Sequence, residues 1–386
     1  MSGADTPSNE NEDSRFMALA LALGRRGLGR TWPNPAVGAV IVKDGVVVGR
    51  GWTQPGGRPH AETEALRRAG DAARDATLYV TLEPCSHFGK TPPCADAIVA
   101  AGVARVVSAI EDPNPEVAGK GHARLRAADI AVDVGIGAEA ARRDHAGHIR
   151  RMRDGRPHVM LKLAISADGK AAAAGRKPIA ITGDAARDRV HVMRAQSDAI
   201  MVGIGTALAD NPLLTCRLPG TAKTSPVRVV LDSGLRLPLG SHLVNSAREV
   251  PLWVIGAADA PKAREDALRA RGVEVLGAEV LCAKVLGVEI LRSAGSGGQL
   301  ELSAVLKLLA ERGITRLMVE GGPTLASALL AADLVDEAQV FHSQQIVGAD
   351  GFDALDAAAT AALARQLRAA GSEAVDPDRL DFYQRG

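Results

Sequence analysis

The sequence predicts a chain of two α/β domains, and three observations predict it. Its 386 residues pass the roughly 250–300 at which one hydrophobic core stops growing. Runs of β-branched residues alternate with stretches of helical periodicity over most of the length. The alternation also restarts after "RRMRDGRP" at 150–157, a basic segment ending in Gly and Pro that reads as a linker. The expected division is residues 16–152 and 153–386, behind a disordered tail of residues 1–15.

That tail, "MSGADTPSNENEDSR", is polar and acidic, without the basic start and apolar centre of a signal peptide. "RFMALALALGRRG" carries apolar residues on most faces of a short helix. "AVGAVIVKDGVVVGRGW" then sets two β-branched runs around Asp44-Gly45, a hairpin signal. A helix from about Ala61 stopped by Gly70, the strand "ATLYVTL", the helix "CADAIVAAG" and the strand "VARVVSAI" complete a layered α/β sandwich.

The second half opens with the strand "HVMLKLAIS". It alternates strands and helices through "DAARDRVHVMRAQ", "DAIMVGIG", "VRVVLD", "LWVIG", "ELSAVLKLLAERG", "ITRLMVE" and "GPTLASALLAA". Residues 257–300 are rich in Ala and Gly, and their periodicity supports only a helix near 261–271.

Composition excludes some functions. A net charge of +1 gives no global pull toward nucleic acid or an anionic membrane. No run approaches the roughly 18 apolar residues of a membrane helix. Four cysteines, Cys85, Cys94, Cys216 and Cys282, are too few for a disulfide scaffold of this size. The cytoplasm is the expected setting, where thiols stay reduced and free to bind metal.

Two of the four share one Pro-rich loop, "TLEPCSHFGKTPPC" at 81–94, downstream of "PHAE" at 59–62. His60, Cys85 and Cys94 are one borderline and two soft ligands, the set zinc prefers. Three protein ligands leave a fourth position to water, as in catalytic zinc sites, and zinc lowers the pKa of that water to about 7. Glu62 is then placed to accept and return its proton. Pro59 and Pro92-Pro93 mark two helix starts whose N-termini would favour thiolate at the ion.

Singly, such a His is more often a surface residue and such a Cys a buried hydrophobe. Together they match the zinc-deaminase pattern H-x-E…P-C-x-x-C, except that eight residues, "SHFGKTPP", separate the cysteines.

At this point the chain resembles the bifunctional riboflavin-biosynthesis deaminase/reductase family. The resemblance is carried by "TWPNPAVGAVIVKDG", "PHAE", "TLEPCSHFGKTPPC", "AGVARVV" and "EDPNPEVAGKG". It continues through "LKLAISADGK", "RAQSDAIMVGIGTALADNPLLTCR", "VVLDS" and "VEGGPTLASALL". The longer inter-cysteine loop is that family's own form of the pattern.

The resemblance implies a cytidine-deaminase-like three-layer α/β/α domain followed by a dihydrofolate-reductase-like α/β domain. It implies one Zn2+ in the first, at His60, Cys85 and Cys94 with Glu62 catalytic, and NADPH in the second. The implied substrate is a small pyrimidine ribosyl phosphate, deaminated and then reduced at its ribosyl group, by a homo-oligomer.

Asn34, in "PNP", is the implied ring-reading side chain, with a turn Asn as the competing reading. His87 and Lys90 are placed to meet the substrate and its phosphate, or to be solvated loop residues. In the second domain no GxGxxG follows an early strand, so a Rossmann site is not indicated. Instead a strand ends at Glu320 and Gly321-Gly322 open a helix, an anion site or a plain strand-to-helix turn. By resemblance the cofactor meets Ala164, Thr206, Asp210, Ser233 and Gly322, Pro323, Thr324, Leu325, Ala326, Ser327 and Ala328. The substrate meets Arg194, Leu213, Arg217 and Glu320, the two arginines as phosphate ligands. Lys162 and Asp168 order the site.

Two stretches depart from the family. Pro178 and Ala180 stand where it has a substrate-touching Ser and a cofactor-flanking Trp, and Ser343-Gln344 replace an Ala-Pro pair. An active reductase with weaker NADPH binding is the expectation.

Two other readings compete. A nucleoside or tRNA deaminase with a non-catalytic C-terminal module predicts a basic, aromatic surface, against 3% aromatic residues here. A scaffold with structural zinc predicts a fourth protein ligand, for which His87 is the nearby candidate.

Overall fold

The computed structural model describes residues 6–88, 92–277 and 300–386, and divides the chain into two compact units at Gly155 and Arg156. In the first unit, β1 (Gly38–Lys43), β2 (Val46–Trp52), β3 (Thr77–Val80), β4 (Arg105–Ser108) and β5 (Ala131–Val134) form a sheet in the order β2-β1-β3-β4-β5. β1 is antiparallel to β2 and β3, and β3, β4 and β5 are parallel. The hairpin turns on Asp44 and Gly45, both at positive φ, which suits the twist of the flanking strands.

The helix Thr6–Arg25 packs on β1 and β3 and touches Ala138–Asp144. The helix Ala61–Ala69 packs on β1 and β2 and touches Cys94–Ala100, which touches Lys120–Arg126. This is the three-layer α/β/α domain expected, with Ala39, Val40 and Ile41 of the middle layer fully buried.

Two expectations are corrected here. The first helix begins at Thr6, inside the segment read as a disordered tail. Asp13 is buried, and its carboxylate accepts bonds from Tyr79 (2.6 Å) and from Arg105 (2.8 and 2.9 Å), so the acidic residue is an anchor. The linker reading of 150–157 also fails over most of its length. The helix Ala146–Asp154 runs through it and stops at Gly155, whose φ of 64° lets its N–H close on the Arg151 carbonyl.

The second unit is built on a nine-stranded sheet ordered β11-β10-β9-β8-β12-β6-β13-β16-β15. Its members are β6 (His158–Ile165), β8 (Ala199–Gly203), β9 (Val227–Leu231), β10 (Leu252–Gly256), β11 (Glu274–Gly277), β12 (Arg316–Val319), β13 (Glu337–His342), β15 (Leu367–Val375) and β16 (Asp378–Arg385). β7 (Lys170–Ala172) and β14 (Phe352–Asp353) pair separately. The large sheet is parallel from β11 to β13, then antiparallel through β16 and β15.

Parallel strands buried on both faces read as unbroken apolar runs, which is why "LWVIG" and "VRVVL" were recognisable. The hairpin β15–β16 and the helix Ala357–Gln366 carry no such run and were not anticipated. Arg228, the second residue of β9, is fully buried and makes no ion pair among the described residues. Its guanidinium donates to Ser246 Oγ and to the carbonyls of Leu213, Ser246 and Val250.

Candidate active sites

In the first unit the chemistry collects where the helix Ala61–Ala69 meets the sheet. Gly49 and Gly51 of β2 let the helix come this close. A Cβ on Gly51 would stand 2.2 Å from the Ala61 carbonyl, and one on Gly49 2.4 Å from that of Ala65. His60 is the N-cap of this helix and Glu62 lies in its first turn. Cys85 follows β3, and Cys94 opens the helix Cys94–Ala100 with its backbone N–H 3.3 Å from the Cys85 sulfur.

His60 Nδ1 stands 3.7 Å from Cys85 Sγ and 3.4 Å from Cys94 Sγ. Two donors bound to one tetrahedral zinc stand about 3.5 Å apart, so the spacing fits. Among the described residues no fourth His, Cys, Asp or Glu joins the group, which removes the basis for a closed structural site there.

Electrostatics also fits a cation. The Cys94 thiol and then His60 hydrogen-bond to Cys85 and hold it down at about 4, while that bond and burial push the Cys94 thiol up. Without an ion the pocket keeps one thiolate at the expense of the other. A divalent cation accommodates both. Glu62 is 3% exposed, and burial raises its carboxyl above the usual range, partly offset by His60. The His60 imidazole is raised by its bond to Cys85 against the effect of burial.

Asn34 joins this centre. Its amide donates to the Gly57 carbonyl at 2.8 Å and stands 3.5 Å from His60 Nε2. His87 is exposed, and Lys90 lies outside the described residues. Glu83, Glu111 and His122 also cluster, but the Glu83 oxygens already accept from the backbone of Asp112, Gly119, Gly121 and His122. That carboxylate has no lone pairs left for a metal.

In the second unit a cavity of about 760 Å³ opens at the C-terminal ends of β6, β8, β9 and β12, where open parallel sheets bind ligands. Lys162, Ala164, Ala180, Thr206, Asp210 and Ser233 line it. So do Pro178, Glu320, Gly322, Pro323, Thr324, Leu325 and Ala328. The helix Pro323–Ala331 presents its N-terminus there, and the Gly322 N–H donates to Thr206 Oγ1 at 3.1 Å.

Glu320 is the electrostatic hub. Its Oε2 accepts from Arg194 at 3.0 and 2.7 Å, and its Oε1 lies 3.9 Å from Lys162 Nζ. Burial raises the Glu320 carboxyl, but Arg194 and Lys162 outweigh it and the net shift is down. Lys162 is lowered because burial exceeds what one carboxylate returns. Burial, then the charge of Glu320, raises Asp210.

Other expected residues stand apart. Ala326 is fully buried in the core, and Ser327, Leu213 and Arg217 do not line the cavity. Arg194 is buried behind Glu320, with a further bond to the Thr215 carbonyl. Asp168 is held at about 2 by Ser166 and by the backbone N–H groups of Val347 and Gly348, and ties two loops together. Ser343 and Gln344 bond to the backbone of Ile165 and Pro377, away from the cavity. Sequence reasoning missed the wall made by Ala172, Arg176, Phe352 and Ala354. The pairing of β7 with β14 brings it together across a long stretch of chain, and no local pattern announces it.

Comparison with known proteins agrees with both sites. Residues 10–110 match the cytidine and deoxycytidylate deaminase zinc-binding region, and residues 157–380 match the RibD C-terminal domain. The second match leaves no room for an unrelated C-terminal module. The chain is 41% identical to the riboflavin biosynthesis protein RibD of Escherichia coli K12 over 350 residues, covering 88% of this chain and 89% of that one. It is 42% identical to that of Aquifex aeolicus over 336 residues, covering 87% and 88%.

Among solved structures, Acinetobacter baumannii RibD superposes with a TM-score of 0.82 at 36% identity, covering 98% of this chain and 99% of that one. A diaminohydroxyphosphoribosylaminopyrimidine deaminase/5-amino-6-(5-phosphoribosylamino)uracil reductase from Thermotoga maritima gives 0.81 at 33% identity, covering 98% and 100%. The two units, one with a three-donor zinc set and one with a reductase cavity, thus have their counterparts in a single group of proteins. The chain belongs to the RibD family of bifunctional riboflavin-biosynthesis enzymes, which join a zinc-dependent deaminase to an NADPH-dependent reductase.

Proposed function

We propose that the first unit hydrolyses the exocyclic 2-amino group of 2,5-diamino-6-ribosylamino-4(3H)-pyrimidinone 5′-phosphate, and that the second reduces the ribosyl group of the product to ribityl. The observation that carries the reading is a three-donor set, with no fourth ligand among the described residues, beside the buried Glu62. His60, Cys85 and Cys94 would hold the zinc, which would supply a Lewis acid that brings the pKa of water to about 7. Glu62 accepts a proton from the attacking water and delivers it to the departing nitrogen, which leaves as ammonia. Burial raises its carboxyl, which favours a group that can hold a proton as well as release it. Asn34, steadied by Gly57, reads the edge of the ring, and the family resemblance gives His87 and Lys90 to the substrate.

In the second unit the N–H groups at the start of Pro323–Ala331 hold cofactor phosphate, and Thr206 steadies that turn. Ala164, Ala180, Asp210 and Ser233 form the remaining cofactor bed. NADPH supplies the reducing equivalents. Glu320 meets the substrate, and Arg194 and Lys162 fix the carboxylate of Glu320. The substrate contacts that the resemblance gives to Arg217 and Leu213 fall outside this cavity.

The same reading takes the chain as a cytoplasmic enzyme of small molecules, without nucleic acid or membrane partners. It is supported by the balanced charge and by the free thiols Cys85, Cys94 and Cys216. Among the described residues no helix is long and apolar enough to cross a membrane. Homo-oligomeric assembly rests on the family resemblance.

A coupled assay on the Glu62→Ala variant tests the proposal. Ammonia release should vanish while NADPH oxidation on supplied deaminated intermediate persists. Ammonia release at the parent rate refutes the role of Glu62.

A further inference from the structure

Three cations line the reductase cavity, Lys162, Arg176 and Arg187. Two have a counter-charge: Lys162 faces Glu320 and Arg187 pairs with Asp184. Arg176 forms no ion pair among the described residues. Its guanidinium lies instead over the ring of Phe352, 4.2 Å from the centroid, and Phe352 is the one aromatic among the residues lining the cavity.

The backbone that carries the ring is itself paired. Phe352 pairs with Ala172 across the β7–β14 ladder, and Lys170 bonds Asp353 at 2.7 Å across the same two strands. An arginine stacked on a ring keeps its plane while its N–H donors stay free at the edges. An exposed arginine on open surface would need no explanation. This one is exposed, but it lines the cavity, makes no ion pair among the described residues, and packs on a residue that also lines it.

The ligand class follows from the charge. A planar fork with an unmatched positive charge suits an oxyanion able to take two donors at once. On the reading above, the N-terminus of Pro323–Ala331 takes the cofactor pyrophosphate, and among the described residues Arg176 is the lining cation left without a counter-charge for a terminal phosphate. Both reactants of the proposed reduction carry one, the 2′-phosphate of NADPH and the 5′-phosphate of the pyrimidine ribosyl compound.

We propose that Arg176, held flat by Phe352, binds a phosphate monoester at the reductase cavity. The proposal rests on the reading of this cavity as the reductase site.

The test uses full-length, zinc-loaded protein, with a melting curve coincident with the parent's as the control for folding. KM is measured for NADPH against NADH, and for the deaminated substrate with and without its 5′-phosphate. Arg176→Met should raise KM about 10- to 100-fold for one phosphorylated ligand, the loss of a charge-assisted bond, and leave its unphosphorylated counterpart unaffected. Whichever ligand responds identifies the source of the phosphate. Phe352→Leu should weaken the same preference in the parent and have no further effect in Arg176→Met.

Ala328→Trp, which fills the cavity from an exposed helix position, separates the two levels. If it abolishes reduction while Arg176→Met changes phosphorylated and unphosphorylated ligands equally, or neither, the cavity stands and the phosphate site falls. If reduction survives Ala328→Trp, the cavity is misassigned and both fall.

Discussion

The Arg194 guanidinium donates from Nε and Nη2 to one oxygen of Glu320, at 3.0 and 2.7 Å, across 126 residues of chain. A further donor goes to the Thr215 carbonyl. An arginine engaged in this way orders the pocket through Glu320, with three of its roughly five N–H donors committed.

Glu320→Gln leaves Arg194 and Lys162 without their shared counter-charge. Breaking a buried pair by removing one partner costs up to about 3–5 kcal/mol, so the melting transition of the second unit should fall. Arg194→Met combined with Glu320→Gln should cost less than the sum of the single changes. Strict additivity would show that the two side chains are not coupled.

The same pair sets an acid limb. The Glu320 carboxyl is lowered from its ordinary 4.5, so the folded state favours the charged form. The stability it contributes is present above that value and lost as pH falls below it. Melting temperature should therefore drop more steeply below pH 4.5 in the parent than in Arg194→Met. Superimposable profiles would assign the acid limb elsewhere.

Chelation separates the two activities. Removing zinc should stop ammonia release and spare NADPH oxidation on supplied intermediate, because the units have separate cores. Added zinc should restore deamination in the parent but not in Cys94→Ala. Metal content by elemental analysis checks the loading, and deamination by fully metal-free protein would overturn the mechanism.

Gly51→Ala tests the close approach of helix to strand. The added methyl meets the Ala61 carbonyl at 2.2 Å, and such overpacking costs about 1–3 kcal/mol. The displaced helix carries His60 and Glu62, so deamination should fall by more than tenfold while reduction persists. Unchanged deamination would mean the helix position is not critical.

Ala180→Trp asks whether the cavity lacks a stacking wall. Ala180 is exposed and lines the cavity, so a large ring fits without disturbing the core. A ring stacked on the cofactor is worth about 0.5–1.5 kcal/mol, and KM for NADPH should fall roughly two- to tenfold. A higher KM would show that the space at Ala180 is needed as it is.

The zinc donors were legible because their signals are local. His60 and Glu62 are two residues apart at a helix start, and Cys85 and Cys94 share one loop. The Asp13 anchor was not. The sequence around it is acidic and polar, and its partner Arg105 lies 92 residues away. The linker reading failed because a basic stretch ending in Gly describes a helix C-terminus as well as it describes a loop.

What the sequence determined by itself was the pair of α/β domains, the hairpin at Asp44-Gly45, the three metal donors with Glu62, and the glycine turn before Pro323. Each is written in periodicity or short spacing, which the backbone obeys wherever the chain goes. Only the tertiary structure decided that Glu320 takes up Arg194, that β14 brings Phe352 under Arg176, and that Ala326 faces the core. Those outcomes depend on which distant strands pair and in what register, and a single chain carries no local mark of either.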